Sequence, residues 1–171
     1  MIEKELNLPQ CDYKLKCEND WILIFDNLRR KYVALTPEEL VRQTFVHFLI
    51  EYKSFPSGLM GNEVSLTQNG IKWRCDTLVS DKCGNPLVII EYKAPNLEIT
   101  QKVFDQIVRY NYVLKAKYLI VTNGLCHYCC HINYDSENYS FLKEIPNYCD
   151  LWTSLAVVAL HPRSLEQTVF L

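Results

Sequence analysis

Hydrophobic and polar residues alternate with two different periods along this chain, and each change of period marks an element. Tyr13-Lys14-Leu15-Lys16-Cys17, a polar turn at Glu18-Asn19-Asp20 and Trp21-Ile22-Leu23-Ile24-Phe25 predict a β-hairpin, with Lys31-Tyr32-Val33-Ala34-Leu35 extended after it. Thr36-Pro37-Glu38-Glu39 then opens a helix, with Thr36 as N-cap and Pro37 at the first helical position. Its apolar residues recur at helical spacing, Val41, Phe45, Phe48, Leu49 and Tyr52, and predict a buried stripe up to about Tyr52. Pro56, Gly58 and Gly61 mark a loop. Strands follow at about residues 64–66 and 72–79, then a turn over 81–86 and a continuous apolar strand from Leu87 that ends in Glu91-Tyr92-Lys93. Ala94-Pro95-Asn96 stops it. A second helix is expected over about 100–114, a strand over 118–122, a further strand through 126–131 and a last helix from Leu151 until His161-Pro162 ends it. This order predicts an α/β (α+β) fold: a mixed central sheet flanked by helices, with an N-terminal β-hairpin.

Composition narrows the class. At 171 residues with 49% hydrophobic and 22% charged residues, the chain suits a single domain over 1–171. The core is expected at about 36–135, the N-terminal β extension at about 11–35 and the C-terminal helix at about 150–161. No apolar stretch reaches the length of a membrane span, and Met1-Ile2-Glu3-Lys4-Glu5 lacks the apolar run of a signal peptide, so a cytoplasmic protein with no membrane partner is expected. The eight cysteines are scattered and read as free thiols. Cys126-His127-Tyr128-Cys129-Cys130-His131 has a C-x₂-C spacing, yet no second pair completes a zinc ligand set. The net charge of −2 is not that of a typical nucleic-acid binder. Local basic runs at Arg29-Arg30-Lys31, at Lys72 with Arg74, and from Lys102 through Arg109 to Lys117 temper that exclusion.

The chemistry concentrates in one stretch. Asp76 followed by Glu91-x-Lys93 on an apolar strand offers two carboxylates, the hard oxygen ligands that Mg²⁺ or Mn²⁺ takes. Period-2 alternation puts Glu91 and Lys93 on one face and Tyr92 on the other, so the ammonium lies beside the acid. Such a lysine can orient or help deprotonate an attacking water and offset phosphate charge while a bound metal polarises the phosphoryl oxygen. The plain alternative is a buried strand whose polar end emerges into solvent.

Taken in order, Leu35-Thr36-Pro37-Glu38-Glu39-Leu40-Val41-Arg42-Gln43, Arg74-Cys75-Asp76, Glu91-Tyr92-Lys93-Ala94-Pro95, Gln106-x-x-x-Tyr110-Asn111 and Thr122-Asn123-Gly124 resemble the N-terminal nuclease domain of type I restriction enzyme R subunits, within the PD-(D/E)xK nuclease superfamily. The resemblance spans about residues 6–150. It implies a metal-dependent DNA endonuclease with Asp76 and Glu91 as metal ligands, Lys93 as catalytic lysine, and Gln106 and Tyr110 positioning DNA backbone or that lysine. It also points to Glu39 as a third acid from the first helix, although Glu39 at the third helical position is equally suited to turn back on the N-cap, and Glu63 competes for the part. Cys75 stands where the superfamily pattern has Pro. The implied partners are DNA, restriction-modification motor, specificity or methylation subunits, and a second copy of the chain. No G-x-x-x-x-G-K-[ST] loop for ATP is present, so the chain cannot translocate DNA by itself. Its opening Met1 and completed sheet favour a separate small protein over an excised domain. The rival expectations are a catalytically silent DNA-binding or assembly module of the same fold, and a metal or redox protein built on the cysteines.

Overall fold

The computed structural model describes residues 5–68, 71–136 and 138–152. Strands β1 (Leu15–Glu18), β2 (Trp21–Asp26) and β3 (Lys31–Ala34) form a small antiparallel sheet. Helix α1 (Pro37–Lys53) follows at once. The predicted N-cap forms, with the Glu39 N–H donating to Thr36 Oγ1 at 3.0 Å, and the helix closes at Ser54 in the left-handed region.

The main sheet has six strands in chain order: β4 (Met60–Gln68), β5 (Ile71–Ser80), β6 (Pro86–Tyr92), β7 (Tyr118–Thr122), β8 (His127–Asn133) and β9 (Asn138–Phe141). All neighbours are antiparallel except β6 and β7, which run parallel. A parallel pair needs a crossover, and helix α2 (Gln101–Leu114) supplies it. Alternation then sorts the core. Val88, Ile90 and Tyr92 of β6 pack with Val41, Phe45 and Leu49 of α1, whereas Ile89 packs with Phe104 and Ile107 of α2. The two helices therefore cover opposite faces, which is why β6 and β7 read as unbroken apolar runs.

Several expectations need correction. Strand β4 starts at Met60 directly after a 3₁₀ turn at Ser57–Leu59, so Gly61 and Glu63 lie inside a strand that was expected only from about 64. Tyr52, assigned to the buried stripe, is 55% exposed and stacks on Phe48 instead. Strand β9 was not anticipated. The predicted C-terminal helix falls outside the described residues beyond Leu151 and Trp152, which end a 3₁₀ turn.

Thr122-Asn123-Gly124 forms the β7–β8 corner. Asn123 Oδ1 accepts the Leu125 and Cys126 N–H groups at 3.0 and 2.9 Å, and its amide donates to Leu97 O. Gly124 has φ +81°, and a Cβ there would lie 2.7 Å from Leu6 Cδ2. This motif holds backbone together, including the loop that follows β6.

Candidate active site

Three carboxylates stand level on three adjacent strands. The β4–β5 register pairs Asn62 with Thr77 and Val64 with Cys75, which puts Glu63 across from Asp76. The β5–β6 ladder ends at Thr77 and Ile90, and one more step sets Asp76 level with Glu91. There the strands part: Asp76 Oδ2 accepts the Tyr92 N–H at 2.9 Å, and the Lys93 N–H turns to Thr122 O on β7. A strand pair that opens in this way exposes a carboxylate without stranding its backbone donors.

Glu91 and Lys93 meet as the alternation predicts, with Nζ to Oε1 at 2.9 Å. Burial, and then the neighbouring Asp76 carboxylate, push the Glu91 carboxyl above its usual range despite Lys93. Burial works against the Lys93 ammonium, but Glu91, Asp76 and Glu38 outweigh it and hold the lysine above its ordinary value. Lys93 is thus an ammonium, suited to orienting a water or neutralising phosphate charge and not to removing a proton.

The first helix contributes differently from expectation. Glu39 neither folds back on its N-cap nor joins Asp76 and Glu91. Its carboxylate accepts from Arg29 Nη2 at 3.0 Å, Arg42 Nη1 at 2.8 Å and Gln43 Nε2 at 2.8 Å. Glu38, one residue earlier, is the helix acid that senses the site. Its carboxyl is pushed up by burial and then by Asp76, while Lys93 and Arg42 draw it down. The signal was available in the spacing: Glu38 and Arg42 are i, i+4 and share a helix face.

Arg42 was also missed as a member of the site. Its guanidinium lies 5.4 Å over the Tyr92 ring and pairs with Glu39, with Glu63 at 2.6 Å and with Asp76 at 3.3 Å. Glu63 additionally pairs with Arg74. Although burial opposes its charge, Arg42 and Arg74 draw the Glu63 carboxyl below its usual range. Glu63 holds φ +56° inside a strand, an unusual backbone state for a residue with a side chain that costs on the order of 1–3 kcal/mol where it persists. The competing acid is thus in the row, but saturated by arginines.

A buried polar chain supports this corner from the N-terminal sheet. Tyr92 Oη donates to Thr77 Oγ1 at 3.0 Å, Thr77 donates to Asn62 at 2.6 Å, and Asn62 donates to Asp26 Oδ2 at 2.9 Å. Asp26, fully buried, also accepts the Leu28 and Arg29 N–H groups and pairs with the Arg29 side chain. Arg29 then reaches Glu39, so the small sheet braces α1. Cys75, in the place of Pro, donates its thiol to Val64 O at 3.7 Å and is pushed up to about 11 by burial and then by Asp76.

Positions 106 and 110 lie in α2 on the Ile89 side of the sheet, and the Gln106 and Tyr110 side chains fall outside the described ones. The donor chemistry of Asp76 and Glu91 fits a hard divalent ion, since both are carboxylates at the partly open end of β6. Among the described residues, no three His, Cys, Asp or Glu side chains converge as a metal cage in this state. The positions between the acids are held by Arg42 and Lys93.

The fold and this site define a mixed-sheet α+β domain with a carboxylate row and an adjoining lysine. A family model described as type I restriction enzyme R protein N terminus matches residues 37–146, and the chain belongs to that family. Among solved structures, it is similar to a fragment assigned as an HsdR subunit of a type I restriction enzyme from Vibrio vulnificus YJ016. The two share 20% identity and a TM-score of 0.53, and the match covers 71% of this chain and 25% of that one. That likeness establishes a common fold. The search of curated proteins found no match. The family model begins at α1, so the N-terminal sheet that braces the helix lies outside it.

Proposed function

We propose that the chain is a metal-dependent DNA endonuclease domain of the PD-(D/E)xK type. The observation that carries this reading is Asp76 level with Glu91 on adjacent strands, with the Lys93 ammonium 2.9 Å from Glu91. Asp76 and Glu91 would hold Mg²⁺ or Mn²⁺, which when bound polarises the phosphoryl oxygen and lowers the pKa of a bound water. Lys93, kept protonated by its acidic neighbours, offsets charge gathering on the scissile phosphate. Glu38 shares the field of Asp76 and Glu91 and adds a carboxylate at the mouth of the site. Gln106 and Tyr110 are proposed to position the DNA backbone or the lysine. DNA is the substrate, and restriction-modification motor, specificity or methylation subunits and a second copy of the chain are the proposed partners. No helix among the described residues is long and apolar enough to cross a membrane, and a cytoplasmic site of action follows from a DNA substrate.

The test is incubation of the purified chain with supercoiled plasmid and Mg²⁺ or Mn²⁺, beside Asp76→Ala, Lys93→Ala and an EDTA control. Metal-dependent nicking should fall by on the order of 10²–10³-fold in Lys93→Ala, the range for removing one preorganised stabilising group. Absence of cleavage by folded wild type, with DNA retained in a binding assay, would favour the silent binding module.

A further inference from the structure

We propose that Arg42 is an internal counter-cation that stands in for the metal: it holds Glu63 and Asp76 together in the metal-free protein and must release Asp76 when a divalent ion binds. The inference rests on the metal site proposed above and concerns how that site is kept assembled and loaded.

Three observations carry it. First, Arg42 is only 3% exposed and its guanidinium touches three carboxylates from three elements, Glu39 on α1, Glu63 on β4 and Asp76 on β5. A row of acids on neighbouring strands repels itself, and a buried cation in its midst removes that repulsion. Second, both Asp76 oxygens are engaged, Oδ2 by the Tyr92 N–H and Oδ1 by Arg42 Nη2. A divalent ion at Oδ1 would sit beside a guanidinium, and like charges at such a distance disfavour one another. The Asp76 contact, at 3.3 Å, is also the longest of the three, whereas those to Glu63 and Glu39 are 2.6 and 2.8 Å. Asp76 is therefore the partner Arg42 gives up. Third, Arg42 Nε is buried with no hydrogen-bond partner among the described residues. A buried unsatisfied donor marks a position that is not the side chain's best, so a shift of the guanidinium can recover a bond as it loses one.

Arg42 is thus a positioning residue whose removal has two opposite effects. Without it the metal-free acids are left uncompensated. With metal, a competitor for Asp76 is gone.

The experiment is calorimetric titration of the full chain with Mn²⁺ in the absence of DNA, together with melting curves with and without Mn²⁺. Wild type is compared with Arg42→Met, which keeps the bulk without the charge, and with Arg42→Lys, which keeps one ammonium but cannot span two carboxylates. Asp76→Asn in each background identifies the heat that belongs to this site. Arg42→Met should melt lower than wild type without metal, bind Mn²⁺ more tightly by about fivefold, the scale of one partly buried ion pair, and gain more melting temperature on loading. Arg42→Lys should fall between, and it carries the test alone if Arg42→Met does not fold. Mn²⁺ bound by the variants but not by wild type would support the proposal in its strongest form. Unchanged or weakened affinity in a folded variant would overturn it while leaving the metal site standing. No Mn²⁺ bound by any of the proteins would overturn both.

Discussion

The open end of β5 and β6 and the interior of β8 hold the two densest collections of metal-binding residue types in the chain, and the structure treats them in opposite ways. At the first, Asp76, Glu91, Glu38 and Glu63 share a field with Arg42 and Lys93, and several carboxyls are displaced from their usual range. Along β8, Cys129 and Cys130 point to opposite faces, one into the core under α1 and the other into the core under α2. Both thiols are pushed up by burial, Cys130 to about 12, and are held as neutral apolar groups. His127 donates from Nε2 to Asn7 O and accepts at Nδ1 from Thr122, which itself accepts the Gly124 N–H. A residue type becomes a ligand only where burial leaves its charged form accessible and a neighbour responds to that charge.

The sharpest way to break the comparison is to remove one member from each region and measure cleavage. Glu91→Ala should reduce plasmid nicking by at least about 10²–10³-fold, while Cys126→Ser with Cys129→Ser should leave the rate per folded molecule unchanged. Metal analysis of the purified protein should find no zinc that depends on those cysteines. Equal losses in both variants would make β8 part of the site.

Stability should separate the regions with opposite signs. Cys129→Ser places a hydroxyl among core side chains and should cost about 1–3 kcal/mol. Glu91→Gln removes one charge from a repelling pair and should raise the metal-free melting temperature by roughly 2–4 °C, the equivalent of about 1 kcal/mol in a domain of this size. A marked drop for Glu91→Gln would identify the carboxylate as structural.

The acid row was legible in part, and the reason is local. Alternation on β6 fixes the Glu91–Lys93 contact before any tertiary fact is known. The cap at Thr36 likewise follows from the residues alone. Choosing between Glu38 and Glu39, by contrast, depends on where α1 lies over the sheet and on Arg29 arriving from the N-terminal strands to occupy Glu39. Arg42 was hidden for the same reason, since nothing in a helix pattern says that a buried arginine will meet two strands. Gly61 and the polar residues around it obscured the start of β4, and the mostly exposed Asn-Tyr-Ser-Phe of β9 has no apolar alternation to reveal it. The β8 cysteines were read correctly as a strand of small apolar groups because their alternation was visible without a partner.

Acidification should move the two regions apart when metal is absent. Glu91 and Glu38 have folded-state values above the usual carboxylate range, so their contribution to stability is present below the unfolded value and lost as pH rises through the raised folded value. His127 is displaced the other way by burial, from an ordinary 6.5 downward. Its contribution is present above that ordinary value and lost as pH falls through the lowered one. In melting curves taken from pH 8 to pH 5, the advantage of Glu91→Gln over wild type should shrink as pH falls. The deficit of His127→Gln should shrink as well, below about pH 6.5. A His127→Gln deficit that is flat across this range would mean that the imidazole is not held neutral in the folded state.

Thiol labelling gives the smallest effect and the finest resolution. Cys17, Cys83 and Cys149 are exposed, Cys11 and Cys126 are half-buried, and Cys75, Cys129 and Cys130 are buried. Since the thiolate is the reactive form, burial and the raised values act together to protect the last three. The exposed group should divide further, because the Cys149 thiol donates to Asp150 Oδ1 at 3.4 Å and that carboxylate raises its value. Timed reaction with a disulfide reagent under native conditions should therefore modify Cys17 and Cys83 first, then Cys149, with Cys129 and Cys130 reacting only on unfolding. Cys75 is the informative case. It belongs to the protected class by burial, yet it sits next to Asp76, so Mn²⁺ at the carboxylates should lower its value and change its labelling rate if the metal binds where proposed. A Cys75 rate indifferent to Mn²⁺, in a protein shown by calorimetry to bind the ion, would place the ion elsewhere and return the two regions to equal standing.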